Sequence, residues 1–356
     1  MAYSGTVGTT VITVQNFIDQ GARLSGKLAE ELTNEQVGAS KQALFFVLSN
    51  LINQGINYWA ISKAVYGLQP NQYEYDLPLG GVDVLNALYR TMARPYGIYA
   101  SSGGGTVSNI YDNNITTYCQ QSSPNGNFTV DYSTSDPQYI GSIGIMPYVA
   151  GGSAVWNYYF QSSPDGITWT TLFTGTNVPV TNGKWIFQDI DPGTNVQYYK
   201  ILAFGGTTLA LYEWYLGTNS TEITMARLNR DDYTNLPNKN FTANQPYQFW
   251  FNRQIPQSKI TLWPTPSNAF VQMTVWYSRQ IQDVGALSGE LEIPQRWNQA
   301  IQFLLAHQMS MVLPNVDLAR ITYLEGQAQN YFIMAENEER DKSPLYFSPN
   351  IGVYTK

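Results

Sequence analysis

Gln161-Ser162-Ser163-Pro164-Asp165-Gly166-Ile167-Thr168-Trp169 reads as a β-hairpin: Asp165-Gly166 is a tight-turn pair, and Trp169 is placed to pack back on the sheet. Around it, from about Gly97 to Gly217, the chain is rich in Tyr and Trp and shows no helical periodicity, so this segment is read as all β. Both flanks read differently. Long helical patterns run over Gln42–Ile61 before it and Trp297–Val312 after it, and neither flank alone makes a complete core. One domain is therefore expected to be inserted at a loop tip of another. The division this predicts is a discontinuous host body over 1–97 and 218–340, an inserted β domain over 98–217, and an extended tail over 341–356. The fold class is α+β multidomain, with a helical body that carries a small antiparallel sheet.

Within the host, Val14, Phe17, Ile18, Leu24 and Leu28 recur at helical spacing, and Thr33-Asn34-Glu35-Gln36 reads as a capping box that opens a longer helix. Leu44, Leu48, Leu51, Ile52, Gly55 and Trp59 share one face of it, with Gly67, Pro70 and Asn71 as its stop. Tyr73–Pro78 and Val82–Met92 read as extended. Beyond the insert, Lys259–Trp263 and Val271–Arg279 read as strands, the second with Val271, Met273, Val275 and Tyr277 on a buried face. Trp297, Ile301, Leu304, Leu305 and Gln308 mark a helix after Pro294. A last helix from Val316 to about Arg340 turns Ile321, Leu324, Ala328, Tyr331 and Ala335 inward.

Charge is unevenly placed. Between 98 and 217, Asp112, Asp131, Asp136, Asp165, Asp189, Asp191 and Glu213 stand against Lys184 and Lys200, which puts −5 of the chain's −7 in the insert. Only 13% of the residues are charged, so the polar surface is Asn, Gln, Ser, Thr and Tyr, a composition suited to large permanent contacts. The absence of a basic stripe argues against grip on nucleic acid through phosphate neutralisation. No apolar run is long enough to span a membrane, and Met1–Thr10 lacks the basic start and apolar stretch of a signal peptide. The single cysteine, Cys119, excludes an intrachain disulfide and a CxxC metal site, and is read as a small buried apolar residue.

Arg230-Asp231-Asp232-Tyr233-Thr234-Asn235-Leu236-Pro237, Gln245-Pro246-Tyr247-Gln248-Phe249-Trp250, Ile260-Thr261-Leu262-Trp263-Pro264-Thr265-Pro266 and Glu292-Ile293-Pro294-Gln295-Arg296-Trp297 follow the two N-terminal helices and the Tyr-x-Tyr-x-Leu-Pro strand in a fixed order. In that order and spacing the host resembles the head-to-tail adaptor (connector) proteins of short-tailed bacteriophages. The resemblance implies a virion structural protein of the phage neck, assembled in the host cytoplasm. It implies a homo-oligomeric ring, usually of twelve copies, docked under the portal protein. Such a ring lines a channel through which DNA passes without specific binding, and it offers a platform to tail nozzle or fibre proteins; no membrane is involved.

Asn109-Ile110-Tyr111-Asp112-Asn113-Asn114-Ile115-Thr116-Thr117-Tyr118, the hairpin quoted above, Tyr198-Tyr199-Lys200-Ile201 and Leu211-Tyr212-Glu213-Trp214 make the insert similar to discoidin domains, the coagulation-factor type C, galactose-binding-like β-sandwich. That resemblance implies a structural calcium site near the opening loop, at the matching positions Asp112, Thr117 and Glu213. Oxygen ligands of this kind suit a hard cation, and Asn113, where the family has Gly, tolerates the left-handed conformation. The same residues equally fit a turn capped by Asp112. Sugar binding is the other expectation, with Tyr148 and Trp156 as rings that either stack on a sugar or belong to the core. A glycan-binding receptor-recognition or capsid-decoration protein is thus the alternative to the adaptor ring.

Enzymatic readings find little. His307, the single histidine, lies within an apolar-faced helix without a P-loop, a Gly-x-Ser-x-Gly or metal-ligand spacing, so no catalytic residue and no bound cofactor is expected. Asp231-Asp232 and Asp189-x-Asp191 read as turn or cap chemistry, and Gly103-Gly104-Gly105 as a linker into the insert. The tail cannot build a core of its own, yet Pro344, Tyr346, Phe347 and Tyr354 are groups that anchor interfaces. The adaptor resemblance implies that they reach a portal or a neighbouring subunit.

Overall fold

A computed structural model describes residues 10–54, 58–91, 95–217 and 222–339. The tail positions Pro344, Tyr346, Phe347 and Tyr354 lie outside the described residues. The described chain is α+β, with five helices and several mainly antiparallel sheets, and it divides into two compact units, 1–61 with 278–356 and 62–277.

The first unit is helical. Helix α1 (Val14–Leu24) starts at Thr13, whose hydroxyl accepts the Asn16 N–H, and α2 (Asn34–Asn53) starts at the expected capping box, with Thr33 and Gln36 exchanging side-chain and backbone hydrogen bonds. Helix α2 stops at Asn53 and not near Trp59, and the chain is already a strand at Ile61. β-Branched Ile61 and Val65 in Ile61–Gly67 favour that outcome over a continued helix. Trp59 instead packs on Trp297, ring centroids 5.7 Å apart, and donates to the Glu292 carbonyl. Two further helices of this unit follow the second sheet-bearing stretch and form an antiparallel pair, Asn298–Val312 and Leu318–Glu339. Gly21 marks the crossing of α1 on the former: a Cβ there would come 2.7 Å from Met309 Sδ. Ser25 Oγ reaches across to the Ala306 carbonyl at 3.0 Å. Gln308 is exposed, and Met309 takes the buried position expected of it.

The second unit carries all the strands but the ends of two. Before the insert come β1 (Ile61–Gly67), β2 (Glu74–Asp76) and β3 (Gly81–Thr91). The insert holds β4 (Ile98–Ser101), β5 (Cys119–Gln120), β6 (Asn127–Asp131), β7 (Ser142–Pro147), β8 (Ser153–Ser163), β9 (Thr170–Thr181), β10 (Ile186–Asp189), β11 (Tyr198–Ala203) and β12 (Ala210–Gly217). After it run β13 (Glu222–Thr224), β14 (Ala226–Leu228), the short helix α3 (Arg230–Thr234), β15 (Thr242–Ala243), β16 (Gln248–Asn252), β17 (Lys259–Trp263), β18 (Thr265–Pro266) and β19 (Val271–Arg279). In chain order Asn298–Val312 and Leu318–Glu339 are then α4 and α5. Strands β3 and β13, which bracket the insert, are antiparallel neighbours with Arg90 opposite Glu222, so the insert leaves and returns at one end of a strand pair.

Two antiparallel sheets, β4-β6-β11-β8-β9 and β10-β7-β12-β5, face each other in the insert. Period-2 alternation sends Phe128 and Val130, Trp156, Tyr158 and Phe160, and Tyr199 and Ile201 inward from the first, to meet Ile143, Ile145, Leu211, Trp214 and Leu216 of the second. Trp156 is thus 5% exposed and part of this core, which removes it as a sugar-stacking ring. Tyr199 can be buried because its hydroxyl donates to the Gln138 carbonyl at 2.8 Å and accepts the Ile140 N–H at 3.3 Å.

The host sheet is larger than the sequence suggests. Two four-stranded sheets, β1-β19-β3-β13 and β14-β16-β17-β2, enclose a second core of Val84, Tyr89, Met273, Val275, Phe249 and Ile260, and β14 pairs with β16 in parallel. The outer face of β1-β19-β3-β13 meets the outer face of the insert's β10-β7-β12-β5 sheet. There Trp185 donates to the Ala269 carbonyl at 2.9 Å and packs edge-on against Phe270. Gly67 is where backbone meets ring, since a Cβ would lie 2.2 Å from Trp185 Cβ. Asp189 also belongs to this seam and not to a turn: it pairs with Lys63 and, at 3.2 Å, with Arg90. Gly103–Gly105 likewise is sandwich structure and not a linker, with Gly103 bonded to Ser101 and Ser122 and Gly105 pressed against Cys119.

Candidate functional site

Tyr111–Tyr118 is a loop held at both ends by buried residues. Ile110 closes the preceding helical turn in the core, and Cys119, 1% exposed, begins β5 beside Leu211 of β12. Burial pushes the Cys119 thiol up, in keeping with its place as a small core residue. Asn109 Nδ2 donates to the Tyr118 carbonyl at 3.0 Å and ties the two ends together.

Inside the loop the backbone turns on Asn113, whose φ of 59° is the left-handed conformation that Asn tolerates. That turn delivers the Asn114 N–H to two carboxylates at once, Asp112 Oδ1 at 2.8 Å and Glu213 Oε1 at 2.9 Å. Thr117 Oγ1 donates to Asp112 Oδ2 at 2.7 Å and lies 3.1 Å from the Asn114 carbonyl. Asp112 and Thr117 of the loop and Glu213, 99 residues beyond Asn114, are therefore gathered around one residue. Asn114 is the member that sequence reasoning missed. The Asp-x-Asn spacing of an Asx turn was its available signal.

Glu213 reaches the loop because β12 has a bulge between Leu211 and Glu213, which re-aims the side chain. It is fully buried, and a buried carboxylate is costly without hydrogen bonds, so its contact with the loop amide locks β12 and the loop together. The donor set is oxygen only: two carboxylates, a hydroxyl and a carbonyl. Hard cations such as calcium take such ligands, and these residues fit one in type. Among the described residues no group of three or more His, Cys, Asp or Glu side chains gathers, so the set holds two acidic ligands at most.

Aromatic rings rim this loop. Tyr118, 39% exposed, stacks on Tyr148 at 3.7 Å with planes 8° apart, and Tyr212 stands edge-on to both. Tyr118 beside it pushes the Tyr148 phenol above its ordinary range. Tyr111 stacks on Tyr99 at 4.6 Å. Tyr148, the surviving sugar-facing candidate, is thus half-buried and serves as the support of Tyr118, whose other face looks outward. His307 lies in α4 of the helical unit.

No protein-family profile matches the sequence, and no curated protein matches it. Solved structures do. A Clostridium perfringens module, CpGH89CBM32-5, solved with GalNAc-β-1,3-galactose, is similar over 34% of this chain and 95% of its own length, with 12% identity and a TM-score of 0.30. A pectin-binding carbohydrate-binding module is similar over 36% of this chain and 94% of its own, with 17% identity and a TM-score of 0.30. Chitosan-binding module 1 of a Paenibacillus sp. IK-5 chitosanase/glucanase is similar over 34% and 93%, with 17% identity and a TM-score of 0.28.

Proposed function

We propose that the inserted β-sandwich is a glycan-binding module, carried by a host that assembles in several copies, as in a receptor-recognition or capsid-decoration protein. The observation that supports it is the outward face of Tyr118 on a loop that is ordered before any ligand arrives. A pyranose presents a flat C–H face that stacks on such a ring, and its hydroxyls find amides and carboxylates in the same loop at Asn113, Asn114 and Asp112. Because the loop is already tied by Asp112, Asn114, Thr117 and Glu213, binding would cost little ordering entropy. Asp112, Glu213, Thr117 and the Asn114 carbonyl are the groups that would hold calcium, which would supply further stiffness to the loop. Screening the whole protein on an array of neutral and acidic glycans tests the reading, with Tyr118→Ala as the control. Binding that falls at least tenfold in the variant supports it; no hit, or an unchanged hit, sinks it.

A second reading is favoured by the helical unit. Phe45, Phe46, Met311, Val312, Leu318, Tyr323 and Met334 are exposed on its helices, an apolar surface that suits permanent contact with other copies. On this reading the chain is a head-to-tail adaptor, a ring beneath a portal through which DNA passes without being gripped, with the sandwich facing tail components or capsid. Class-averaged electron micrographs of the purified protein test it: a ring supports the adaptor, whereas a monomer at micromolar concentration removes it.

A further inference from the structure

Between α2 and α5, over α4, runs a groove of about 520 Å³ in the helical unit, within the ~300–1,000 Å³ range of built binding sites. Its floor is apolar, from Val47, Leu51, Leu304, Ala328 and Phe332, with Phe46, 59% exposed, at its mouth. Its walls carry four carboxamides, Asn50, Gln54, Gln308 and Gln329, together with His307 and Glu325. An apolar floor between amide walls is what an extended peptide needs, because side chains sink into the floor while the amides pair with backbone N–H and C=O groups.

The chain itself holds a segment of that chemistry, and it begins close by. Helix α5 ends at Glu339, which Arg296 grips with two hydrogen bonds of 2.6 and 2.8 Å and to which the Trp297 indole donates at 3.2 Å, so the departure point is fixed. From there Phe332 lies only about 10 Å back along the helix, at ~1.5 Å per residue. Leu345, Tyr346 and Phe347 are reached within about 20–25 Å of extended chain at ~3.3 Å per residue. We propose that this groove is the seat of the chain's own C-terminal segment, with Leu345, Tyr346 and Phe347 over its apolar floor. This goes beyond both functional readings, since it gives the groove an occupant from within the chain; of its lining only Phe46 also belongs to the apolar surface of the second reading.

A photo-crosslinking residue in place of Phe347 in the full-length protein tests the assignment, with peptide mapping of the isolated monomer. Crosslinks to 46–54 or 325–332 of the same chain are expected. Phe46→Glu changes an exposed side chain and leaves the fold intact, and it should lower their yield at least fivefold. Crosslinks that form only between chains, that fall elsewhere, or that persist at full yield in Phe46→Glu would overturn the proposal.

Discussion

The inserted sandwich turns one outer face to protein and the other to water, and the two faces are built differently. On β10-β7-β12-β5 the outward side chains Met146, Trp185, Phe187 and Tyr215 close against Phe270 and Gly67 of the host, and Asp189 is shared between Lys63 and Arg90. On β4-β6-β11-β8-β9 the outward row includes Tyr159, Gln161 and Lys200, half-exposed, with the Lys200 ammonium 3.9 Å over the Trp169 ring. Both faces use tryptophan. At the seam it is a buried anchor with a hydrogen-bonded indole; on the open face it is a half-buried platform under a cation whose pKa burial lowers. An inserted domain that buries aromatic side chains and an ion-paired carboxylate against its host is docked on it and not freely tethered.

The sharpest way to break the comparison is to truncate both rings. Trp185→Ala removes a buried indole, its packing on Phe187 and Phe270 and its bond to Ala269, and should cost about 3–5 kcal/mol. Trp169→Ala removes a half-exposed cation–π contact and should cost about 1 kcal/mol. Urea unfolding followed by the remaining tryptophans measures both. Equal losses would mean that the seam contributes no more than the open face.

A middling effect is expected at Asp189. Burial pushes its carboxyl up, but Lys63 and Arg90 together outweigh that and hold it below the usual range. A group whose folded pKa is lowered stabilises above its unfolded value and loses that contribution as pH falls through the folded one, so the Asp189 share should fade below about pH 4. Asp189→Asn should cost about 1–2 kcal/mol at pH 7, discounted for the partial exposure of the pair, and progressively less as pH falls below about 4. Melts of the two proteins from pH 2 to pH 7 read the difference directly; a constant offset across that range contradicts the seam assignment.

Why this seam escaped the sequence is clear from Asp189 itself. Asp189-Ile190-Asp191-Pro192-Gly193 has the composition of a turn, and Asp191 obeys it by accepting the Gly193 N–H at 2.7 Å. Asp189 sits two residues earlier, and its partners Lys63 and Arg90 are about a hundred residues away, where no local pattern can point. Local chemistry was legible at the capping box at Thr33, the strands Lys259–Trp263 and Val271–Arg279 and the turn at Asp165, though not at the β-branched run that ends α2 early. At the loop site, Asp112, Thr117 and Glu213 came from resemblance, while Asn114, which organises them, is one more Asn in an Asn-rich run. Trp156 shows the opposite error. A strand's alternation decides which ring faces inward, and register is fixed by partners that composition does not reveal.

The smallest effect belongs to the hairpin turn on the open side of the sandwich. Asp165 Oδ1 accepts the N–H groups of Ile167 and Thr168, each at 2.8 Å, and the Ser163 hydroxyl at 2.9 Å, while Gly166 takes the positive φ of 73° that completes the turn. The Thr168 and Ile167 amides, in that order, and then Ser163 hold the carboxyl down to about 2. Its contribution is therefore complete above about pH 4, the ordinary Asp value, and is lost as pH falls through about 2. Asp165→Asn keeps an acceptor oxygen in place and removes only the charge, so the turn should persist with a melting temperature lower by about 2 °C or less near neutrality. Because the wild type alone has this proton to gain, the gap between the two melting curves should close between pH 4 and pH 2. Parallel curves down to pH 2 would show that the turn is held by Gly166 and Ser163 and that the carboxylate charge is incidental.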